Sequence, residues 1–264
     1  MTACNTKKEK IDLSEYKAEL ISVTEIERPE KRTIAHYEWL PVTEEGAYTQ
    51  NTVAFVGKVL DVRNIAIKYR YLDQDLTEHM LTFDLEIETV LYNRSAKFPN
   101  KQVITVGTCY GDFYYSEGLP VVEIGQTYLI YCSVAAELEN DLLSMKGYMD
   151  CFVSMPNKLI AEKVGDQYLA TDFFAPWLTD ADKALNKLNV SEVQFDKILT
   201  MGSVAEAQKV IAAQGTKKAE QIVNVLAART ITGAKGFANQ LKSLYIISCD
   251  QLESIVEKTA EKYR

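Results

Sequence analysis

Between Val53 and Cys132, apolar and polar side chains alternate with a period of two through several consecutive runs. In Leu81–Leu91, Phe83, Leu85 and Ile87 alternate with Asp84, Glu86 and Glu88, which puts apolar groups on one face of a strand and carboxylates on the other. Val53–Val62 leads into the alternating Ile65–Tyr71, so the two make one long bent strand or a hairpin around Arg63–Asn64. Gln102–Val106 and Val121–Cys132 add further strands, and turn residues at this spacing predict an antiparallel barrel or sandwich.

Upstream, Ala18–Ile26 reads as a strand or short helix, Pro29 fixes a charged turn, and Thr33–Val42 reads as a strand ending at Pro41. Thr43–Asn51, with Gly46, reads as a loop. Downstream, Asn140–Asp141 sits in a turn, Lys146–Val153 and Leu159–Leu169 are the last strand-like runs, and Pro176–Trp177 marks a boundary. From Thr179 the period becomes helical: Ser203 and Glu206 stand at capping-box spacing, and Ala219, Ile222, Val223 and Leu226 share a face. Gly233 and Gly236 break the pattern before Phe237–Ile247, and Asp250–Ala260 closes it. Helices this short predict an orthogonal bundle. The expected fold class is α+β: a disordered tether over 1–12, an antiparallel β-barrel domain over 13–177, and a small C-terminal helical bundle over 178–264.

Charge sharpens that division. The 264 residues carry a net −8; residues 1–180 hold 17 Lys and Arg against 28 Asp and Glu, while 181–264 hold 12 against 9. The acidic part repels a phosphate backbone and the weakly basic tail offers little counterion release, so nucleic acid is not an expected partner. Stretches of apolar residues stay too short to span a bilayer.

Five cysteines, Cys4, Cys109, Cys132, Cys151 and Cys249, include no CxxC pair and spell neither a zinc site nor a redox motif. Cys109, Cys132 and Cys151 fall in or beside strands, where they serve as small buried hydrophobes or form bridges of undetermined connectivity. His36 and His79 each lack a second histidine at ligand spacing and read as solvated. Neither a Walker-type loop nor a nucleophile elbow occurs, so no catalytic residue, metal or cofactor is assigned.

Two stretches point to function. Thr2-Ala3-Cys4 resembles the end of a bacterial lipobox, with polar residues following as a tether; the apolar leader of such a signal is missing, so either the chain is trimmed or Cys4 is an ordinary cysteine. The loop Gly107–Pro120 carries Tyr110, Phe113, Tyr114 and Tyr115 among three glycines, rings with polar tips that suit contact with a glycan or peptide. Against this stands the alternative that Tyr110 and Phe113 plug a barrel end.

The run Phe55-Val-Gly57-Lys-Val59, the Thr82–Leu91 strand, Val103–Val106 leading to a Gly/Cys loop, and Ile124-Gly125-Gln-Thr-Tyr128-Leu-Ile-Tyr131 together resemble the netrin-like module. That is the OB-type barrel shared with tissue inhibitors of metalloproteinases. The resemblance implies a scaffold that binds through loops and one open face. Those inhibitors chelate zinc through a free N-terminal cysteine amine, whereas here a long segment separates Cys4 from Val53, and acylation of Cys4 would remove the amine. Protease inhibition is therefore not implied. The reading is a non-catalytic, extracytoplasmic binding protein, lipid-anchored through Cys4 and touching the membrane only by that anchor, with a protein, peptide or glycan partner at the cell surface. Two alternatives are a cytosolic assembly protein docking through its helical domain, and a hydrolase built on Asp84, Glu86, Glu88 and Asp112.

Overall fold

The computed structural model describes residues 18–27, 33–34, 44–109, 114–115, 122–138, 148–154, 159–171, 203–206, 209 and 244–263. Its elements are β1 (Glu19–Ile26), β2 (Thr33–Ile34), α1 (Glu44–Gln50), β3 (Val53–Tyr71), β4 (Gln74–Asn93), β5 (Val103–Cys109), β6 (Tyr114–Tyr115), β7 (Thr127–Val134), β8 (Cys151–Val153), β9 (Ile160–Val164), β10 (Gln167–Thr171), β11 (Leu244–Ser248) and α2 (Cys249–Lys262).

Among the described residues nine strands form one sheet in the order β1-β3-β4-β5-β8-β7-β9-β10-β11, and β3 also pairs with β7. The extra pairing closes a ring, β3-β4-β5-β8-β7 and back to β3. All its contacts are antiparallel except β5 with β8. The expected wholly antiparallel sheet is thus corrected to a mixed one, because β8 reaches β5 only after the chain has passed through β7. β2 and β6 form a separate parallel pair.

Arg63–Asn64 is no turn. β3 runs 19 residues and β4 20, and the chain reverses at Leu72–Asp73 between Tyr71 and Gln74. Three register shifts, at Ala54/Phe55, Val56/Gly57 and Val59/Asp61, bend this hairpin. Its base enters the ring while its distal half projects as an arm, with β1 laid along Asn64–Arg70. Gly57 lies at one shift, where a Cβ would stand 3.0 Å from the backbone oxygen of Glu86. A side chain there would push the two strands apart.

The alternation in β4 does what periodicity requires: Phe83 and Leu85 are fully buried, and Asp84 and Glu86 are partly exposed. They join Phe55, Ile104, Val106, Leu129 and Ile130 in the main core. A second cluster, Ile65, Ile67, Tyr69, Met80, Ala135, Met149 and Phe152, fills the underside of the arm.

Thr43–Asn51, expected as a loop, contains α1. Seven residues make a marginal helix in isolation. Tertiary contacts supply what propensity does not: Tyr48 is buried against Tyr92 and Tyr263, with ring centroids 5.2 and 5.7 Å away. Arg94 lies 4.2 Å over the Tyr48 ring and donates to the carbonyls of Tyr48, Thr49 and Asn51. These include carbonyls that the helix end leaves without an intrahelical donor.

The helical bundle is overturned for the described part of the tail. Leu244–Ile247, expected as the end of a helix over Phe237–Ile247, lies in β11, which pairs with β10 from Gln167↔Ser248 to Thr171↔Leu244. Four consecutive apolar residues, Leu244-Tyr-Ile-Ile247, fit either period; pairing with β10 and burial of Ile247 favour the strand. α2 begins at once, capped by Ser248 Oγ accepting from Gln251 N, and buries Leu252, Val256 and Ala260 in the ring's core. Ser203 Oγ likewise accepts from Glu206 N at 3.3 Å, as the capping-box spacing predicts. The other expected helices, the boundary at Trp177, the tether and the Asn140–Asp141 turn lie outside the described residues.

Two hairpins test the backbone rules against each other. β9 and β10 turn through Gly165–Asp166, with Gly165 at φ +64°, where glycine meets no Cβ penalty. At the arm's tip the same place is taken by Leu72, at φ +55° and 57% exposed. A branched side chain there costs about 1–2 kcal/mol. Leu72→Gly is therefore expected to raise unfolding stability by about 1 kcal/mol in denaturant titrations, and a loss of that size would contradict the turn geometry.

A second expectation concerns alkaline pH. Tyr69 donates to Glu78 at 2.7 Å, and this bond, with burial, raises its pKa from 10.0 to about 12. Burial raises Tyr92 and Tyr168 as well, the latter helped by Glu253, and pushes the Cys109 thiol up to about 12. The fold thus favours the protonated forms. For Tyr69 the stabilisation is complete below the unfolded-state value near 10 and disappears as pH rises through about 12; for Cys109 the same decline starts from 9.0, and Tyr92 and Tyr168 hold their protons to higher pH still. Tm should fall steeply across that window, and Glu78→Gln should lower the titration of Tyr69 in ultraviolet absorbance towards its ordinary value, burial keeping part of the rise.

Candidate functional site

One edge of β3 serves two partners. β7 takes Val53–Lys58 and β1 takes Asn64–Arg70. Where the edge changes hands, at Val62–Asn64, a cleft of about 430 Å³ opens, walled by Glu25–Glu27 from the end of β1 and by Val122–Ile124 before β7. The register shift at Val59/Asp61 lies beside it. Such a volume is within the range of ordinary ligand clefts.

The wall at Val122–Ile124 has a definite construction. Gln126 N donates to Glu123 O at 3.3 Å and Gly125 stands at φ +85°, so Glu123–Gln126 is a β-turn with glycine at its third position. The turn is tied to β3 by Gly125 N to Val59 O and Val59 N to Gln126 O, each 2.8 Å. Glu123 N donates to the hydroxyl of the buried Tyr128 at 3.1 Å. Ile124 is thereby held outward, 64% exposed. The Gly-x-x-Tyr spacing picked out in the sequence is the spacing of this device: glycine shapes the turn and tyrosine anchors it from within the core.

Charge in the cleft follows from register. Asp61 and Asp84 are cross-strand neighbours, an arrangement that repels. Arg63 resolves it, with Nη2 2.7 Å from Asp84 and Nη1 3.7 Å from Asp61, and Thr105 Oγ1 donates to the same Asp84 oxygen at 2.6 Å. With Arg63 engaged, the carboxylates of Glu25, Glu27 and Glu123 leave the lining acidic, interspersed with Ile26, Val62, Val122 and Ile124. Electrostatics of this kind select a cationic guest with apolar flanks.

The acids weighed as a hydrolytic site are dispersed. Asp84 serves Arg63 and Thr105, Glu86 accepts from Gln102 at 2.8 Å, and Glu88 accepts from Thr127 at 3.3 Å. Asp112 lies outside the described residues. His79 sits on β4 opposite Ala66, while His36 is not among the described residues. Among the described residues no three His, Cys, Asp or Glu side chains group as metal ligands, and no helix is long and apolar enough to cross a membrane.

Cys4, Tyr110 and Phe113 also fall outside the described residues. Tyr114 and Tyr115 form β6, whose backbone pairs with Thr33 and Ile34. β2 follows the Glu25–Glu27 wall in sequence and β6 precedes the Val122–Ile124 wall, so the chain segments leaving the two walls are joined. The cleft itself was not foreseen. The glycine that shapes its wall, Gly125, falls within the run Val121–Cys132 read as a strand, which the structure corrects to a turn followed by β7; where β1 would dock is a long-range matter.

Comparison with family models, with curated proteins and with solved structures finds no match. Gly125→Ala should destabilise by about 1–2 kcal/mol, because its φ disfavours any Cβ. Tyr128→Phe should leave the sheet intact while speeding amide exchange at Glu123. Unchanged exchange would remove Tyr128 as the anchor.

Proposed function

We propose that this chain is a non-catalytic binding protein of the cell envelope, anchored through an acylated Cys4, whose ring of strands is a netrin-like module. The cleft at the edge switch of β3 carries this reading. It combines a ready-made concavity, aliphatic walls and an excess of acidic over basic residues in its lining, and these suit a peptide or protein segment bearing basic and aliphatic side chains. The five-strand ring and the Gly125–Tyr128 turn support the module assignment. Tyr110, Phe113, Tyr114 and Tyr115 belong to the segment between β5 and the Val122 wall, and they extend the contact surface in this reading. The partner is held by loops, and the sheet supplies a rigid frame.

Binding of labelled Lys/Leu-rich and Glu/Leu-rich peptides to the full chain tests it. The basic peptides should bind preferentially. Glu25→Lys/Glu123→Lys should weaken them about tenfold, or about 1.4 kcal/mol, and Tyr114→Ala/Tyr115→Ala should weaken them further. Equal binding of both peptide classes, or indifference to both variants, would refute the site. In cell fractions, Cys4→Ala should move the protein from membrane to soluble material.

A further inference from the structure

The ring is weakest where β7 meets β8. That contact consists of two residue pairs, Ser133↔Phe152 and Val134↔Cys151, whereas the β3–β4 ladder runs the length of both strands. Cys132 precedes Val134 by two positions on β7, so it shares Val134's face and lies diagonal to Cys151. Both side chains are fully buried in the main core. Their thiols are free, and register and burial place them as diagonal neighbours on one face of the seam. The other two described thiols are placed differently: Cys109 Sγ donates to Ser154 O at 3.2 Å, and Cys249 opens α2.

We propose that Cys132 and Cys151 are a disulfide-forming pair that stitches β7 to β8 and so closes the ring covalently. Only the supply of oxidant rests on the extracytoplasmic reading. Diagonal neighbours on one face need their sulfurs brought to about 2 Å. A ladder of two pairs yields that movement more readily than a long one. Burial and the neighbouring thiol raise the Cys132 pKa well above its ordinary range, so little thiolate exists in the folded state. The reaction therefore belongs to the folding chain, before the seam is sealed.

One thiolate attacks a disulfide of the oxidant, either oxidised glutathione or a disulfide-bearing oxidoreductase, and forms a mixed disulfide. The second thiolate attacks the protein sulfur of that bond and expels the other half as a thiolate. In sum the two cysteines lose two protons and two electrons, and the oxidant's disulfide becomes two thiols. The finished bond, buried like its parents, is shielded from reductants.

Refolding the full chain from denaturant in a glutathione redox buffer isolates the chemistry from the compartment. After acid quench, alkylation in denaturant and digestion, Cys132 and Cys151 should be recovered in one reductant-sensitive linked species, with Cys109 and Cys249 alkylated. The linked form should melt roughly 5–10 °C above the reduced form. Cys132→Ala/Cys151→Ala should melt at the same temperature with and without reductant. Alkylation of both cysteines in refolded wild type, a bridge to Cys109 instead, or a reductant response in the double variant would each overturn the pair. The same mapping on protein taken from cells separates the two ideas: a pair that links in vitro but is reduced in cells would refute the compartment and leave the bond-forming geometry intact.

Discussion

The ladder between β3 and β4 carries the rest of the molecule. It is the longest pairing in the sheet, from Val53↔Asn93 at its base to Tyr71↔Gln74 at its tip, and most other elements take their position from one of its edges. β5 continues the β4 edge, while β7 and β1 divide the β3 edge between them. A straight hairpin of this length would give a flat ribbon with both faces open. Three bulges change that by bending the base into a ring and leaving the distal half as an arm with its own apolar cluster. The cleft is a consequence of the same division, since two strands claiming one edge leave a gap between them.

Around that ladder, side chains finish what the backbone leaves incomplete. Arg94, at the base, satisfies carbonyls at the end of α1 and covers the ring of Tyr48. Asp150 accepts from Thr105 N and Lys101 Nζ, each at 2.8 Å, and its backbone amide donates back to Thr105 O, binding the approach to β8 to the start of β5. Tyr128 holds the turn that walls the cleft. In each case a side chain bonds a backbone group outside its own element, far along the chain for Arg94 and Asp150 and just upstream for Tyr128. These bonds are directional, so they fix where loops and short helices sit, while apolar burial fixes that the sheet closes at all.

The electrostatics have the same layered character. Register sets Asp61 against Asp84, Arg63 offsets them, and the described lining holds Glu25, Glu27 and Glu123 against the one cation Arg63. A partner selected by that acidic excess and by Ile124 and Val62 is the functional reading. Cys132 and Cys151, diagonal neighbours at the β7–β8 seam, bear instead on the proposed closure of the ring.

Alternation of Phe83 and Leu85 with Asp84 and Glu86 was sufficient by itself to establish a strand with one buried face, because a period of two is a property of the extended backbone. The Ser203–Glu206 cap was legible for the same reason: both partners lie within one turn of chain. Gly125 and Tyr128 read as parts of one strand, Val121–Cys132, whereas Glu123–Gln126 is a turn that walls a cleft and the strand begins at Thr127. Long-range contacts decided the rest. Four apolar residues at Leu244–Ile247 fit helix and strand alike until β10 offered them a ladder. α1 forms in a segment whose sequence reads as loop because Arg94 and Tyr92, far along the chain, reach it. The edge of β3 is shared, and a cleft opens, only once β1 and β7 arrive. Local periodicity fixes which faces must be buried; which segment buries them depends on pairings between residues distant in sequence, and only the folded chain brings those together.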